Sequence, residues 1–410
     1  MAKELAHFKN FAKLKDTAVE FNDITVLAGK PRSGKSYVMK FHYAYHETLS
    51  SIISGAYKMH YALMDTDENL IRTFDLLKNL LPIETFPQIE TFNKLIDDNN
   101  YIEAAKVFNA ELEKGYQLED YLQGFKKILD ELSKKQINSL SINENEKFYF
   151  IFRNILESTF GSIDQIDDSF AYYNSKLAMK YEDNDIVIQS LNIEKVSDGA
   201  LFVETPLILE FEKFLPSKRF KAPYHIDSLL QELNKKDFSF TSDETSQFIN
   251  NFKKITSLII NGNISKGTQG FSFESNSGKH FNIVNASSGI KSIGLLQYLV
   301  VSKALKKGSI LFWEEPEVHL HPEWQLRMIE LFIELMNAGV KIVFSTHSPY
   351  MTDYLNALAH RRELRERVSF NLFKENDGEV QNHILETDED WNMIQDELLG
   401  SLEDIMWQYL

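Results

Sequence analysis

Residues 29–36 read "GKPRSGKS", where two glycines, a lysine and a hydroxyl have a spacing that suits phosphate binding. An apolar run precedes this stretch and a helical pattern follows it, so we expect a strand, a tight loop and a helix. Such a loop wraps a phosphate with successive backbone N–H groups at the helix N-terminus. We expect Lys35 to reach the β- and γ-phosphates and the Ser36 hydroxyl to bind Mg²⁺. The predicted nucleotide-binding residues are Gly29, Lys30, Pro31, Arg32, Ser33, Gly34, Lys35, Ser36 and Tyr37.

Two adjacent carboxylates, Glu314 and Glu315, follow the apolar run "ILFW". A nucleotide in such a loop needs a carboxylate on a neighbouring strand to hold Mg²⁺, and hydrolysis needs a group that orients water. We therefore assign Glu314 to the metal, through its waters, and Glu315 to the attacking water as general base. An exposed acidic turn is the alternative, and the predicted phosphate loop makes it the weaker one.

The next apolar run, "KIVF", ends in Ser345-Thr346-His347. A histidine at the tip of the adjacent strand can contact the γ-phosphate and the attacking water. We predict this role for His347, although a lone histidine is more often structural.

A second candidate anion site lies in "NASSGIKSIG", residues 285–294. Small residues with a glycine open a predicted helix there, and a helix N-terminus attracts anions. The loop at 29–36 already provides one phosphate-binding site in each chain. We therefore expect the second anion site to complete the nucleotide site of another copy of the chain.

Composition limits the classes of protein that remain. The chain has 410 residues, 43% of them hydrophobic, and no cysteine, so disulfides and thiolate metal sites are excluded. We expect an intracellular, cytoplasmic protein with no membrane association, because no apolar run is long enough to span a bilayer and the N-terminus lacks a signal pattern. The net charge of −16 does not support nucleic-acid binding, although a local basic groove leaves it possible.

Periodicity predicts a mixed α/β chain. Short strands precede the phosphate loop and a helix follows it. "KMHYALMD" (58–65) reads as a further strand, and residues 66 to about 170 read as helical. The period then shifts towards two, with "ALFVETPLILEF" (200–211) read as a strand. Helices and strands alternate from 289 to 366, beginning with a helix at 289–306 and ending with one at 350–366. A hairpin then turns at Asp377-Gly378, and the tail is an amphipathic helix.

The four motifs, in this order, resemble those of the ABC-type ATPase superfamily. "GKPRSGKS" is similar to its Walker A motif, "ASSGIK" to its signature, "ILFWEE" to its Walker B with catalytic glutamate, and "STHS" to its switch histidine. The form "EEPEVHLHP" and the large insertion are similar to those of OLD-family and SMC-related members. The likeness is strongest to the stand-alone ATPase subunits of prokaryotic antiphage systems of the PARIS and Septu types.

This resemblance implies an α/β P-loop NTPase of ABC-ATPase type, whose mixed sheet carries an antiparallel β subdomain and a large, mainly helical insertion. It implies ATP and Mg²⁺ as cofactors, and a head-to-tail homodimer or higher homo-oligomer that clasps ATP between the Walker A of one subunit and the signature of the other. The signature residues acting in trans would be Ser287, Ser288 and Gly289. His319 and His321 would lie near the dimer seam, with a metal site in His-Leu-His as the alternative.

The chain also departs from the pattern. Its signature lacks the initial leucine and the double glycine, which implies slow or triggered hydrolysis, and Glu314 stands where transporter-type members carry aspartate. A Q-loop glutamine and an adenine-stacking aromatic residue are not assigned. The expected division begins with an N-terminal head lobe that carries the Walker A motif (1–65) and a helical insertion (66–170). A mixed β/helical segment that is partly head (171–265), a C-terminal head lobe with the other motifs (266–388) and a C-terminal helix (389–410) follow.

The function that follows is that of an ATP-hydrolysing sensor or scaffold that regulates a separate effector, a nuclease or toxin, in bacterial antiphage defence. The effector is expected on another polypeptide, because a predicted hairpin and helix take up the residues after His347 and leave no place for an acidic nuclease cluster. The alternatives are an SMC-like DNA repair or maintenance ATPase, a transporter ATPase subunit, and a nucleotide switch that barely hydrolyses.

Overall fold

The protein is described by a computed structural model. The residues that the structure describes are 3–54, 91–92, 94–95, 101–112, 126–130, 133, 144–161, 166–182, 185–194, 197–211, 222–235, 243–268, 270–318, 320–376 and 378–409. They fall into two compact units, one formed by residues 1–50 with 155–410 and the other by residues 51–154.

Five parallel strands form one half of a large sheet in the first unit. Their residues are mostly apolar and buried on both faces, which is the pattern of a parallel strand covered by helices. In spatial order they are β13 (Val368–Asn376), β3 (Ile24–Gly29), β12 (Lys341–Thr346), β11 (Ile310–Glu314) and β7 (Ala200–Val203). Because they are parallel, their carboxyl ends lie along one edge of the sheet.

Mainly antiparallel strands extend this sheet to eleven. Outward from β13 they are β14 (Glu379–Ile384), β2 (Leu14–Phe21), β1 (Glu4–Phe11), β4 (Ile166–Tyr173), β5 (Leu177–Glu182) and β6 (Asp185–Leu191). The antiparallel pairing of β13 with β14 joins the two halves, and β14 in turn pairs in parallel with β2 at Val380 and Leu14. A separate three-stranded antiparallel sheet consists of β8 (Gly262–Gly267), β9 (Gly270–Ser275) and β10 (His280–Asn282).

Helices surround the strands of this unit. Large side chains such as Trp313, Phe332 and Phe344 fill the core between sheet and helices. The α-helices in chain order, including two of the other unit, are α1 (Lys35–Ser54), α2 (Tyr101–Leu112), α3 (Glu144–Phe160), α4 (Ile208–Phe211), α5 (Tyr224–Asn234), α6 (Asp243–Ile260), α7 (Ser288–Val301), α8 (Pro322–Asn337), α9 (Pro349–Arg361) and α10 (Asp388–Tyr409). Short 3₁₀ turns occupy Ile283–Asn285 and Arg365–Arg367.

The second unit is helical where the structure describes it. It contains α2 and the first part of α3, and Phe92 packs against Phe108 inside it. The predicted strand at 58–65 lies outside the described residues. Within the described residues, no helix is both long and apolar enough to cross a bilayer.

Among the described residues most predicted elements are confirmed, and four predicted spans are wrong. The helical reading extends too far, because residues 166–173 form β4 and pair with β1. The strand at 200–211 stops at Val203, and the residues after Pro206 turn into the short helix α4. The helices predicted at 289–306 and 350–366 end at Val301 and Arg361, and two residues after each end the chain takes a positive φ, 62° at Lys303 and 56° at Glu363. In each case a long-range pairing or a backbone turn overrides the local periodicity.

Candidate functional site

The phosphate-binding loop lies between β3 and α1, as predicted. Gly29 ends β3 with a φ of 140°, and Gly34 has a φ of 85°, so both glycines use backbone conformations that other residues rarely adopt. The ammonium group of Lys35 donates to the carbonyls of Gly29 and Lys30, each at 2.8 Å, and to the Ser33 hydroxyl at 3.0 Å. The lysine is therefore held within the loop that it is predicted to serve.

Burial lowers the pKa of Lys35 to about 8, because a charged ammonium is less stable away from water. The carboxylates of Glu315, Glu317 and Glu314, in that order, act in the opposite direction. Lys35 is only 5% exposed, so its charge depends on these groups rather than on solvent.

This lowered pKa predicts a pH-dependent affinity for nucleoside triphosphate. A bound phosphate keeps the ammonium protonated, so binding above pH 8 must take up a proton, whereas below pH 8 the lysine already carries it. We expect affinity to be constant well below pH 8, to halve by pH 8, and to weaken about another fivefold from pH 8 to pH 9. Calorimetry in two buffers of different ionisation enthalpy measures both the affinity and the proton uptake. Equal affinity with no proton uptake at pH 9 would contradict the shift.

Glu314 lies at the end of β11, beside the loop. Burial raises the pKa of its carboxyl group, and Lys40 and a hydrogen bond from Ser36 partly offset this effect. Its Oε1 atom is buried and accepts no hydrogen bond from any residue that the structure describes. A buried carboxylate with an unused oxygen next to a hydroxyl is the oxygen donor set that Mg²⁺ prefers, so these two residues fit the predicted ion.

Glu315 and His347 contact each other at the ends of β11 and β12. His347 Nε2 lies 3.0 Å from Glu315 Oε1, and with the glutamate as carboxylate the neutral ring donates from Nε2. Burial, and then the nearby Lys35 charge, lower the pKa of His347 and favour this neutral form. Glu315 has a φ of 44°, and its N–H donates to the Ser345 carbonyl at 3.1 Å. A strained backbone therefore aims the carboxylate at the histidine, a feature often found at functional sites.

The sequence analysis gave no role to Glu317, whose carboxylate binds the residues at the end of β12. Its Oε1 accepts from the Thr346 hydroxyl at 2.9 Å and from the His347 N–H at 2.7 Å. Burial raises the pKa of this carboxyl group, and its Oε2 is buried without a partner among the described residues. The signal in the sequence was a third glutamate in "EEPE", two residues after Glu315.

Glu204 is a second residue that sequence reasoning missed. It follows β7, the strand beside β11, and its carboxylate contacts the Lys40 ammonium at 3.2 Å and His225 Nε2 at 2.9 Å. The hydrogen bond with His225 lowers the pKa of Glu204 to about 2, and the charge of Glu204 in turn raises the pKa of Glu314. The only signal for Glu204 in the sequence is that an acidic residue directly follows a short apolar run of four residues.

We expect Glu204→Gln to weaken the use of Mg²⁺. The substitution removes a negative charge near Glu314 and frees the Lys40 ammonium to face the same carboxylate, and both effects disfavour a bound cation. The Mg²⁺ concentration for half-maximal ATP hydrolysis should rise about three- to tenfold. Asp227→Asn on α5, which removes an exposed carboxylate of the same charge, is the matched control. Equal Mg²⁺ requirements in Glu204→Gln and wild type would refute this coupling.

The other residues of the loop are largely exposed. Lys30 contacts Glu397 of α10 at 3.5 Å, so the C-terminal helix lies beside the phosphate loop. Pro31 and Arg32 are exposed, Arg32 with a φ of 67°, and Tyr37 stacks on Phe160 with ring centroids 5.4 Å apart. Tyr37 thus joins α1 to α3, and its nucleotide-binding role stays a prediction.

The predicted signature residues open α7. The Ser287 hydroxyl accepts from the Ile290 N–H at 3.4 Å, and the Ser288 carbonyl accepts from the Ser292 hydroxyl at 3.1 Å, so these hydrogen bonds lie within α7 itself. Ser287 is exposed, whereas Gly289 is buried where a Cβ atom would meet the Trp324 ring at 2.8 Å. The structure thus places this motif at a helix N-terminus with Ser287 outermost, and action in trans stays a prediction.

His321 forms the N-cap of α8, with its Nδ1 accepting from the Glu323 N–H at 3.3 Å. This contact explains the residue locally and leaves its predicted place at the dimer seam untested. His319 lies outside the described residues, so the alternative metal site in His-Leu-His is untested as well.

Comparisons with known proteins yield distant structural likenesses and one family. The SMC head domain from Thermotoga maritima aligns with a TM-score of 0.42 and 9% identity, over 94% of this chain and 100% of that chain. The Smc head domain with a coiled coil and joint from Pyrococcus yayanosii aligns with a TM-score of 0.39 and 12% identity, over 96% and 99%. With TM-scores this low, neither likeness supports an inference. No curated protein matches the chain.

The family model described as "AAA ATPase domain" matches residues 6–352, which is most of the chain. The match spans residues 29–36, the two adjacent glutamates Glu314 and Glu315, and His347. Together with the mixed sheet described above, it confirms the predicted α/β P-loop ATPase fold. The chain belongs to the AAA ATPase domain family.

Proposed function

We propose that the protein binds ATP with Mg²⁺ and hydrolyses it. The observation that carries this proposal is the contact between Glu315 and His347 at the ends of β11 and β12, the two strands on one side of β3 and its phosphate loop. Ser36 and Glu314 would hold Mg²⁺, which when bound would supply positive charge next to the phosphates. Lys35 and the loop N–H groups bind the phosphates and keep them in place.

The carboxylate of Glu315 acts as the general base. Glu315 accepts a proton from water as the water attacks the γ-phosphorus atom, and the bond from that atom to the β–γ bridging oxygen breaks, so that ADP and phosphate leave. His347 holds the carboxylate through Nε2, and Glu317 fixes the backbone of His347, so the base is positioned before the substrate arrives. Release of phosphate from ATP by the full chain with Mg²⁺ tests this proposal, and its absence at saturating ATP would refute it.

We propose further that ATP is clasped between two copies of the chain. The support is the exposed position of Ser287 at the start of α7, a helix of 14 residues whose first N–H groups can bind an anion. A single chain already has one phosphate cradle in its loop. Residues 1–65 and 266–388 would form the ATPase head of each copy, with 66–170 as an insertion, 171–265 partly head and 389–410 as a C-terminal helix.

The biological role that we propose is regulation of a separate effector in antiphage defence. Its support is the resemblance of the chain to the stand-alone ATPase subunits of antiphage systems, within a branch whose OLD-family and SMC-related members share the form "EEPEVHLHP" and the large insertion. Phage plating on cells that carry the gene and its neighbours tests this role. Protection should be lost with Lys35→Ala, and protection that persists in the variant would reject the role.

An SMC-like role on DNA is the second candidate, because the resemblance includes SMC-related ATPases. It predicts DNA binding that weakens steeply with salt. Such binding by the full chain, together with absent phage protection, would favour this candidate, although the net charge of −16 counts against it.

A further inference from the structure

A cluster of three potential metal ligands lies apart from the residues assigned to the nucleotide. Glu4 on β1 and the two histidines His42 and His46 on α1 each place one ligand atom within 4.8 Å of the other two. The histidines follow Ser36 by two to three turns, so they lie farther along α1 than the loop. Sequence analysis did not single out this cluster, and the site described above does not use it.

The two histidines are packed in the interior. His42 and His46 are 2% and 1% exposed, and they lie one turn apart on the same face of α1. Their Nε2 atoms are 3.0 Å apart. Phe21 stacks on His42 with ring centroids 3.6 Å apart, and the Phe312 ring lies 6.4 Å from His46. Packing therefore fixes both rings with their Nε2 atoms facing one another.

Glu4 brings a negative charge to this pair. Its carboxylate accepts from the Asn174 amide at 2.8 Å, and the same amide donates to the Tyr172 hydroxyl at 2.9 Å. Burial raises the pKa of Glu4, while the more distant Lys341 and Lys176 act in the opposite direction. In the part of the chain that the structure describes, no lysine or arginine forms an ion pair with this carboxylate. A cation that binds it directly would offset the cost of its burial.

We propose that Glu4, His42 and His46 form a binding site for a divalent transition-metal ion, with Zn²⁺ as the representative. Two imidazoles at i and i+4 on a helix, joined by a carboxylate, are a donor set that suits Zn²⁺ and its first-row neighbours and not Mg²⁺. Ligand bonds of about 2.0–2.1 Å in tetrahedral geometry place two nitrogen atoms about 3.3 Å apart. The separation of 3.0 Å between the Nε2 atoms is close to this value.

The protonation state of the rings agrees with this geometry. Burial lowers the pKa of both His42 and His46, so both are neutral, which is the form that binds a metal. Without a cation, a single hydrogen shared between two Nε2 atoms employs one lone pair. A bound cation would accept both Nε2 lone pairs and would also be attracted by the negative charge of the Glu4 carboxylate.

The bound ion would join the first strand of the antiparallel subdomain to the helix that carries Lys35 and Ser36. The three ligands fill three tetrahedral positions and leave a fourth for water. Because the ligands lie in the packed interior, the ion's main effect is expected on stability. The site should therefore fill and empty independently of ATP.

The metal content of the full chain tests the proposal. The protein is stripped with chelator, reloaded with Zn²⁺, desalted and analysed by atomic emission. We expect about one zinc per chain, and at least about tenfold less in His46→Gln and Glu4→Gln. His7→Gln, which alters another histidine on β1, and Glu314→Gln, which alters the predicted Mg²⁺ carboxylate, should both retain the metal. Equal zinc in wild type and Glu4→Gln would overturn the site.

Two measurements on the wild type keep the proposal testable if a variant fails to fold. Zn²⁺ should raise the melting temperature of the stripped protein, and Co²⁺ should give the visible absorption of a tetrahedral complex, which Zn²⁺ then removes. A wild type that retains no zinc and shows neither effect would overturn the proposal. A protein that does not hydrolyse ATP would leave the metal-site proposal standing, because zinc content, melting temperature and Co²⁺ absorption are all measured without nucleotide.

Discussion

Replacing Glu315 with glutamine should lower the turnover of ATP at least about a hundredfold, because the amide cannot accept the proton of the attacking water. ATP binding should change little, since Lys35, Ser36 and the loop N–H groups remain. His347 keeps a hydrogen-bond acceptor in the new side-chain oxygen, so the corner should stay folded. The variant should therefore accumulate with bound ATP, and as dimers if two copies clasp the nucleotide. Phosphate release, nucleotide content and mass by light scattering measure the three effects.

Glu323→Gln is the matched control, since it removes an exposed carboxylate at the start of the neighbouring helix α8. It should hydrolyse ATP at the wild-type rate. If Glu315→Gln turned over ATP as fast as this control, the general-base role would be wrong. If the chain bound ATP and neither protein hydrolysed it, the nucleotide-switch alternative would be favoured.

Gly29→Ala should have the largest effect on stability, with the free energy of unfolding falling by about 3–5 kcal/mol. A Cβ atom on Gly29 would lie 2.2 Å from the carbonyl oxygen of Phe373 in β13, and the φ of 140° is strained for alanine. Either β13 separates from β3 or the loop changes course. ATP binding should be lost together with the stability. Denaturant unfolding and calorimetry measure the two effects.

Two other glycines separate the effect of backbone strain from that of the close contact with Phe373. Gly161 has a φ of 79°, and a Cβ atom there would meet nothing within 4 Å, so Gly161→Ala isolates the backbone strain and should cost about 1–2 kcal/mol. Gly267 has open space and no positive φ, so Gly267→Ala should cost less still. If Gly29→Ala destabilised no more than Gly161→Ala, the close approach of Phe373 would not be what requires the glycine.

The predicted site was accessible from sequence because its signals are local. Lys35 and Ser36 follow a strand with fixed spacing, and Glu314, Glu315 and His347 each end an apolar run. Parallel strands place their carboxyl ends on one sheet edge, so the meeting of these side chains follows from the motifs alone.

The features that sequence reasoning missed depend on distant segments. Glu204 belongs to the site because β7 pairs with β11, and a strand of four residues gives little periodic signal. Likewise, β4 joins β1 across more than 150 residues, which no local pattern encodes. The histidine pair on α1 has visible i, i+4 spacing, but only the fold brings Glu4 to it.

The most direct test of the central claim, that ATP is shared between two copies, is complementation between two inactive variants. Lys35→Ala removes the phosphate lysine, and Ser287→Arg blocks the start of α7, so each alone should be inactive. If each site takes its loop from one copy and Ser287 from the other, a mixed dimer has one intact site. An equal mixture should then recover about a quarter of the wild-type ATP hydrolysis. A mixture as inactive as its parents, although mixed dimers form, would contradict the account.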